Sequence, residues 1–252
     1  MSAEVVVARP VDDGVATLTL AAGERGNALS AALVTELAAA FEEAIADPAL
    51  HTVIFDAQGR HFCTGFDVSA LDDETDATLL ARFVAVELLL DRIWRAPLRT
   101  VAIGQGRIMG AGADLFAACD LRLLADGATL SFPGAGFGLV LGTRRLAVRV
   151  GEARALDWVA GRRLVDVELA LASGLASERV AAPAAGSLRE SVLAGLGAGP
   201  AVDRPTCAAL KAAAQDGCAD ADLAALVRSA ARPGLHRRLS DYRARQLAAR
   251  RR

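Results

Sequence analysis

The chain has 252 residues, 53% of them apolar, and a formal net charge of −2. That length admits one large domain, or a core with a small appendage, and the apolar fraction suffices for a sizeable core. A balance this close to neutral supplies no overall field for nucleic acid to follow. Lysine occurs once, at Lys211; with so much alanine, the arginine-only cation set reads as genome composition. The four cysteines, Cys63, Cys119, Cys207 and Cys218, show no C-x-x-C spacing and only three histidines accompany them, which argues against a zinc site. The start, MSAEVVVARP, lacks a charged region leading into a long apolar run, and no apolar run reaches the ~18 residues of a spanning helix. The expectation is a cytoplasmic protein with reduced thiols, and neither membrane nor nucleic acid as partner.

In chain order, residues 4–8 and 15–20 are β-rich and flank Asp12-Asp13-Gly14, a hairpin signal. After the glycine-containing loop AAGERGNA, Ser30 caps a predicted helix running to about residue 46, with Leu33, Leu37, Phe41 and Ile45 four apart. Asp47-Pro48 ends it. A short apolar strand is predicted over 52–55, a long helix over 78–94 broken by Pro97, and a strand over 100–104. The glycine-rich turn GQGRIMGAGAD leads into a short helix over 113–118, then strands over 121–124 and 129–132. Strands alternating with helices imply crossovers and parallel pairing. Beyond Gly151 the pattern turns helical, over 153–160, 165–173 and 188–196. Gly197-Ala-Gly-Pro200 is the clearest linker-like break, so a core over 1–197 and a helical region over 198–252 are expected. The basic run HRRLSDYRARQLAARRR, 236–252, reads as a solvated helix end or as an anion contact.

Two strand-to-loop corners stand out, 59–67 (GRHFCTGFD) and 104–114 (GQGRIMGAGAD). Small residues there let a ligand approach the main chain. Two such corners side by side can aim backbone N–H groups at one developing oxyanion, and the second opens a helix whose N-terminus adds a favourable dipole. Tight turns under packed strands would leave the same trace. Gly104, Gly106, Gly110 and Gly112 do not fit the G-x-G-x-x-G dinucleotide fingerprint.

GRHFCTGFDVSAL and, about 40 residues on, GRIMGAGADLFAACDLRLL resemble the two signature regions of the crotonase (enoyl-CoA hydratase/isomerase) family. RGNALS at 25–30 is similar to the family's early loop along the coenzyme A channel, and 138–180 to the stretch after its active site; the likeness runs from about residue 5 to 185. The resemblance implies an α/β fold, a spiral of ββα units with two roughly perpendicular sheets and a C-terminal helical segment that supports a homotrimer or hexamer. Leu223, Leu226, Val227 and Ala230 give that segment a compatible apolar face.

By the same resemblance, the oxyanion donors are the amides of Phe66 and Ala111, with Arg25, Asn27, Ala28, Gly65, Gly110 and Gly112 as the substrate-binding set. The substrate is an acyl-CoA thioester, with no separate cofactor and no metal. The family's first acid falls on Asp114. Its second falls on Gly134, which transfers no proton, and the P-G-x-G-G stretch that usually follows is shortened to Leu141-Gly142. Hydration needs an activated water and a proton delivered to carbon. Double-bond migration needs only one shuttling acid/base, so isomerase-like or atypical hydratase chemistry is expected. Decarboxylation, hydrolysis and a catalytically silent acyl-CoA binder stay open. Asp114 can also be read as a first-turn acid stabilising its helix by a few tenths to ~1 kcal/mol. Asp67 is expected to cap a helix over 68–71, Asp120 to be structural, His61 to lie off the acid positions, and Cys63 and Cys119 to be small core residues. Arg25 and Arg60 are candidates for coenzyme A phosphates or plain surface.

Overall fold

A computed structural model of the chain describes residues 4–8, 14–181, 188–195, 202–215 and 219–250. The largest sheet has six strands: β1 (Val5–Ala8), β2 (Val15–Leu20), β3 (Thr52–Ala57), β4 (Arg99–Gly104), β6 (Leu121–Ala125) and β8 (Glu178–Val180), in that spatial order. β1 runs antiparallel to β2 and every later pairing is parallel. A second, two-stranded parallel sheet joins β5 (Arg107–Met109) to β7 (Thr129–Ser131). All but Gly14 of the expected hairpin turn, the break at 197–200, Cys218 and the end of the basic run at 251–252 lie outside the described residues.

Side-chain alternation explains how the large sheet is covered on both faces. Leu18, Leu20, Val53, Phe55 and Ala102 face the main core with α1 (Ala31–Ala46), α2 (Asp76–Trp94) and α3 (Ala111–Ala118). The intervening Val15, Ile54, Val101 and Ile103 meet Val192 of α7 (Leu188–Gly195). α1 begins where expected, because the Ser30 hydroxyl accepts from Leu33 N at 3.0 Å. α2 begins at Asp76, earlier than expected, because Thr75 and Thr78 form a reciprocal capping box.

Short elements went unread. β5 lies inside the stretch taken as a turn, and β8 was missed; each has three residues, too few to show alternation. A 3₁₀ turn (Pro133–Phe137) and α4 (Thr143–Val150) follow β7. α5 (Glu152–Gly161) and α6 (Val167–Ser173) follow in turn. α6 begins later than the expected 165 because Val165 exchanges backbone hydrogen bonds with Leu130 and Asp166 caps the helix.

The C-terminal region consists of α8 (Arg204–Ala214), α9 (Ala219–Ala230) and α10 (Leu235–Arg250). The apolar face of α9 does not stand open for a neighbouring subunit. Leu226 and Ala230 are buried within this chain, in a cluster with Leu79 and Phe83 of α2 and Leu235 and Leu239 of α10. The reason is proximity: α2 presents its own apolar stripe to this side of the core. Truncating Leu226 to alanine should therefore cost about 2–5 kcal/mol in equilibrium denaturation and speed amide exchange in α9 and α10. A loss below ~0.5 kcal/mol would mean that α9 is not integral to the core.

Candidate active site

The two glycine-bearing corners meet at main-chain distance. Gly65 has φ +100, and a Cβ there would lie 2.8 Å from the Met109 carbonyl oxygen, so only glycine lets the segments cross. The crossing is tied by backbone bonds. Met109 N donates to Cys63 O at 2.9 Å, Gly110 N to Ser131 O at 2.8 Å, and Leu29 N to Gly65 O at 2.8 Å. Asp67 N donates to Leu29 O at 3.2 Å. Between these paired groups, the N–H of Phe66 and the N–H of Ala111 find no acceptor among the described residues. Ala111 N–H is one of the first-turn donors that any helix leaves without an internal partner, and half-buried Phe66 lies on the adjoining segment. Both residues line one cavity of about 1050 Å³.

α3 starts at this crossing, with Gly110 (φ 53, ψ −127) at its N-cap, and carries Asp114 in its first turn. Asp114 is 5% exposed and lines the same cavity. A Cβ on Gly142 (φ +66) would collide with its Oδ1. No described group hydrogen-bonds its carboxyl. Burial pushes Asp114 well above the usual carboxylate range; Arg145 pulls the other way and Glu87 adds to the rise.

Behind the acid lies a buried ion cluster. Arg145, 1% exposed, donates through Nη2 to both carboxylate oxygens of Glu87 at 2.6 and 2.7 Å, and through Nη1 to Asp222 at 3.3 Å. Arg144 pairs with Asp222 at 2.7 Å. Phe66 stacks on Phe83 with ring centroids 4.0 Å apart, and Arg82 lies over the Phe66 ring at 4.2 Å while donating to Asp67 O at 2.9 Å. Phe137 and Tyr242 continue the aromatic row, at 5.1 Å from each other. Sequence reasoning missed Arg82, Arg145, Phe83, Phe137 and Tyr242. They come from α2, α4, the 3₁₀ turn and α10, and nothing in their local spacing marks them.

Of the expected site residues, Ala28, Gly65, Phe66, Gly110, Ala111, Asp114 and Gly134 line the cavity. Arg25, Asn27 and Gly112 do not. Asn27 (φ 53) is fully buried and donates to Gln58 O at 2.9 Å and His61 O at 2.7 Å, which ties the early loop to the first corner. A Cβ on Gly112 would meet Cys63 at 2.6 Å, so this glycine serves close packing. Arg25 bridges Glu4 and Asp67.

Asp67 is not a helix cap. Its Oδ1 accepts from Ser69 N at 2.8 Å in an Asx turn, and the next helical residues, Leu71–Asp73, start after Ala70. Asp120 accepts from Thr100 N at 2.8 Å and pairs with Lys211 at 2.6 Å, a structural tie. His61 Nδ1 accepts from Arg107 N at 3.1 Å in a separate hollow shared with Arg60, and partial burial with those two cations lowers its pKa. Burial raises the Cys63 and Cys119 thiols to about 12, which leaves them inert. Gly134 has an ordinary φ, and a Cβ there would make only ordinary contact, the nearest atom being Leu139 O at 3.6 Å.

The crossing is testable without a ligand. Gly65→Ala should destabilise the chain by about 1–3 kcal/mol in chemical denaturation. Gly161→Ala, where a Cβ would meet nothing within 4 Å, should stay within ~0.5 kcal/mol. Equal midpoints for the two variants would show that the corners do not need this approach.

The family model "Enoyl-CoA hydratase/isomerase" matches residues 11–216. A Bacillus subtilis (strain 168) protein named probable enoyl-CoA hydratase is 32% identical over 173 residues, 66% of this chain and 66% of the relative. An ethylmalonyl-CoA decarboxylase of Xenopus laevis is 32% identical over 191 residues, 71% of this chain and 62% of the relative. The matched part thus spans slightly under two thirds of each of these relatives. A Bordetella parapertussis crystal structure carrying the enoyl-CoA hydratase/isomerase name superposes with a TM-score of 0.89 at 37% identity, covering 96% of this chain and 99% of that one. The spiral expected from the signature corners, the parallel-rich sheet and these matches agree: the chain belongs to the crotonase, or enoyl-CoA hydratase/isomerase, family.

Proposed function

We propose that this protein is an acyl-CoA-processing enzyme that stabilises a thioester enolate and moves one proton through Asp114. The observation that carries the reading is the meeting, in one cavity, of two acceptor-less amides and one buried carboxyl without a hydrogen bond. The amides of Phe66 and Ala111 receive the thioester oxygen, whose charge grows as the enolate forms; each donor of this type is worth roughly 3–4 kcal/mol at a transition state. The aromatic row from Phe66 to Tyr242 suits an apolar acyl group.

In a double-bond migration, ionised Asp114 takes a proton from the carbon beside the thioester carbonyl. The electron pair delocalises onto the oxygen held by the two amides. The same carboxyl then returns the proton to the far end of the conjugated system. One acid/base suffices, and Gly134 is no obstacle. A raised proton affinity also makes Asp114 a stronger base once ionised. A second reading, decarboxylation, draws on the same shift. Loss of carbon dioxide from a carboxylated thioester creates the enolate without a base, and a neutral Asp114 then donates the proton. The likeness to ethylmalonyl-CoA decarboxylases is in keeping with this second reading.

Incubation with a 3-enoyl-CoA, crotonyl-CoA, a saturated acyl-CoA and ethylmalonyl-CoA in heavy water, followed by mass spectrometry, separates these outcomes. Asp114→Asn should lower deuterium uptake or product formation by about 10²–10⁴-fold while acyl-CoA binding survives. Full turnover in that variant would remove Asp114 from the chemistry. Binding with no exchange on any of the four thioesters would leave a silent acyl-CoA binder. Gly134→Glu adds a carboxyl at a cavity-lining position whose Cβ would make only ordinary contact. It should raise hydration of crotonyl-CoA by about tenfold or more, and an unchanged hydration rate would show that the missing second acid is not what limits that reaction.

A further inference from the structure

One end of the cavity carries cations that the proton transfer does not use. Phe66 stacks on Phe83, Phe83 meets Phe137, and Phe137 meets Tyr242. Tyr242, the chain's one tyrosine, ends this apolar row with a polar tip. Its half-buried ring lines the cavity, and its hydroxyl finds no hydrogen-bond partner among the described residues. Gly136 makes room beside it. A Cβ on Gly136 would lie 3.3 Å from Cδ of Arg162, 3.6 Å from its Nη1 and 3.5 Å from Cε2 of Tyr242, so the arginine and the ring lie over the same bare stretch of backbone. Arg162 and Arg107 both line the cavity. Burial raises the Tyr242 pKa, against the pull of Arg162, Arg107 and Arg245.

Arg162 holds its place at a backbone cost. It follows α5 with φ 52 and ψ 42, the left-handed position that usually falls to glycine. No carboxylate pairs with Arg107 or Arg162 among the described residues, whereas Arg243, at the same cavity, is held by Asp72 at 2.7 Å. The carboxylates that line the cavity, Asp67 and Asp114, pair with neither. A guanidinium without a carboxylate, beside a phenol without an acceptor, is a donor set for an anion.

We propose that this end of the cavity binds a carboxylate at the far end of the acyl chain, held by Arg162 and the Tyr242 hydroxyl and drawn in by Arg107, so that the preferred thioesters carry an apolar stem and an anionic terminus. This assignment rests on the reading of the cavity as an acyl-CoA site and narrows its substrate class. It concerns a carboxylate remote from the thioester, not one on the carbon beside the carbonyl. Coenzyme A phosphates are the other anions such donors could meet. The aromatic row, which starts at the Phe66 amide and ends at Tyr242, favours the acyl chain.

The full-length chain would be titrated calorimetrically with matched saturated thioesters, hexanoyl- against adipoyl-CoA and octanoyl- against suberoyl-CoA, and with free coenzyme A. The carboxylated member of at least one pair should bind about fivefold tighter or more. Arg162→Gly suits the left-handed backbone and removes the cation. It should abolish that preference while hexanoyl-CoA, octanoyl-CoA and free coenzyme A bind as before. Tyr242→Phe should reduce the preference. Equal binding within both pairs overturns the proposal, as does a preference that survives Arg162→Gly or is undiminished in Tyr242→Phe. An Arg162→Gly chain that binds every ligand more weakly by the same factor overturns it too, because the arginine then serves the coenzyme A phosphates. If no acyl-CoA binds at all, the acyl-CoA reading itself fails. Full turnover in Asp114→Asn would refute the proton-transfer role alone and leave the anion preference standing.

Discussion

Everything at this site depends on two chain segments crossing at main-chain contact. A side chain at Gly65 would hold the corners apart, and Gly110 supplies the positive φ beside the crossing. Because the backbone of each corner is bonded on both sides, to Leu29, Cys63 and Ser131, the two unpaired amides cannot turn away to find other acceptors. Rigidity is the point of such an arrangement. Donors that are already oriented need no reorganisation when charge develops, which is where their advantage over water comes from. The large sheet, α1 and α3 can be viewed as the frame that fixes this crossing, since β3 leads into the first corner, and β4 and β5 into the second.

The acid is placed by the same frame, and its placement opposes stability. Asp114 binds its proton more tightly folded than unfolded, because burial disfavours the charge. The folded state therefore holds more protons, and this group's contribution to stability falls as pH rises from the unfolded carboxylate value toward the folded one. Natural chains keep such groups where chemistry needs them and offset them elsewhere. Here the offset is visible in the surrounding apolar core, which includes Leu115, Phe116 and Leu146.

The sequence exposed the backbone of this design better than its side chains. Long periodic elements such as α1 and α2 were legible, as were both glycine-bearing corners and the fact that Phe66, Ala111 and Asp114 meet along one cavity. Glycine patterns report close approach, which is a local property. β5 and β8 were not legible, because three residues cannot display a period. The Arg145–Glu87–Asp222 cluster was equally hidden. Its members lie 58 and 77 positions apart in the chain, and long-range ion pairs leave no local trace. Asp67 was misread because an aspartate that caps a helix and one that closes an Asx turn look alike in sequence; the backbone after it decides.

The glycine at position 134 separates what the fold dictates from what it permits. Gly65 and Gly142 have positive φ and no room for a Cβ, so their identity follows from the architecture. Gly134 has neither constraint. A Cβ there would meet Leu139 only at ordinary contact distance, so the backbone does not demand glycine at this position. Asp67 also lines the cavity, but its Oδ1 is held by Ser69 N; on the proposed reading of Asp114, reactions needing a base and an acid at once are disfavoured. Those that pass a single proton in and out of an enolate are not. The tuning of that one group then matters more than in a two-acid site. Its burial raises its proton affinity, while Arg145 and Glu87 act on it in opposite directions.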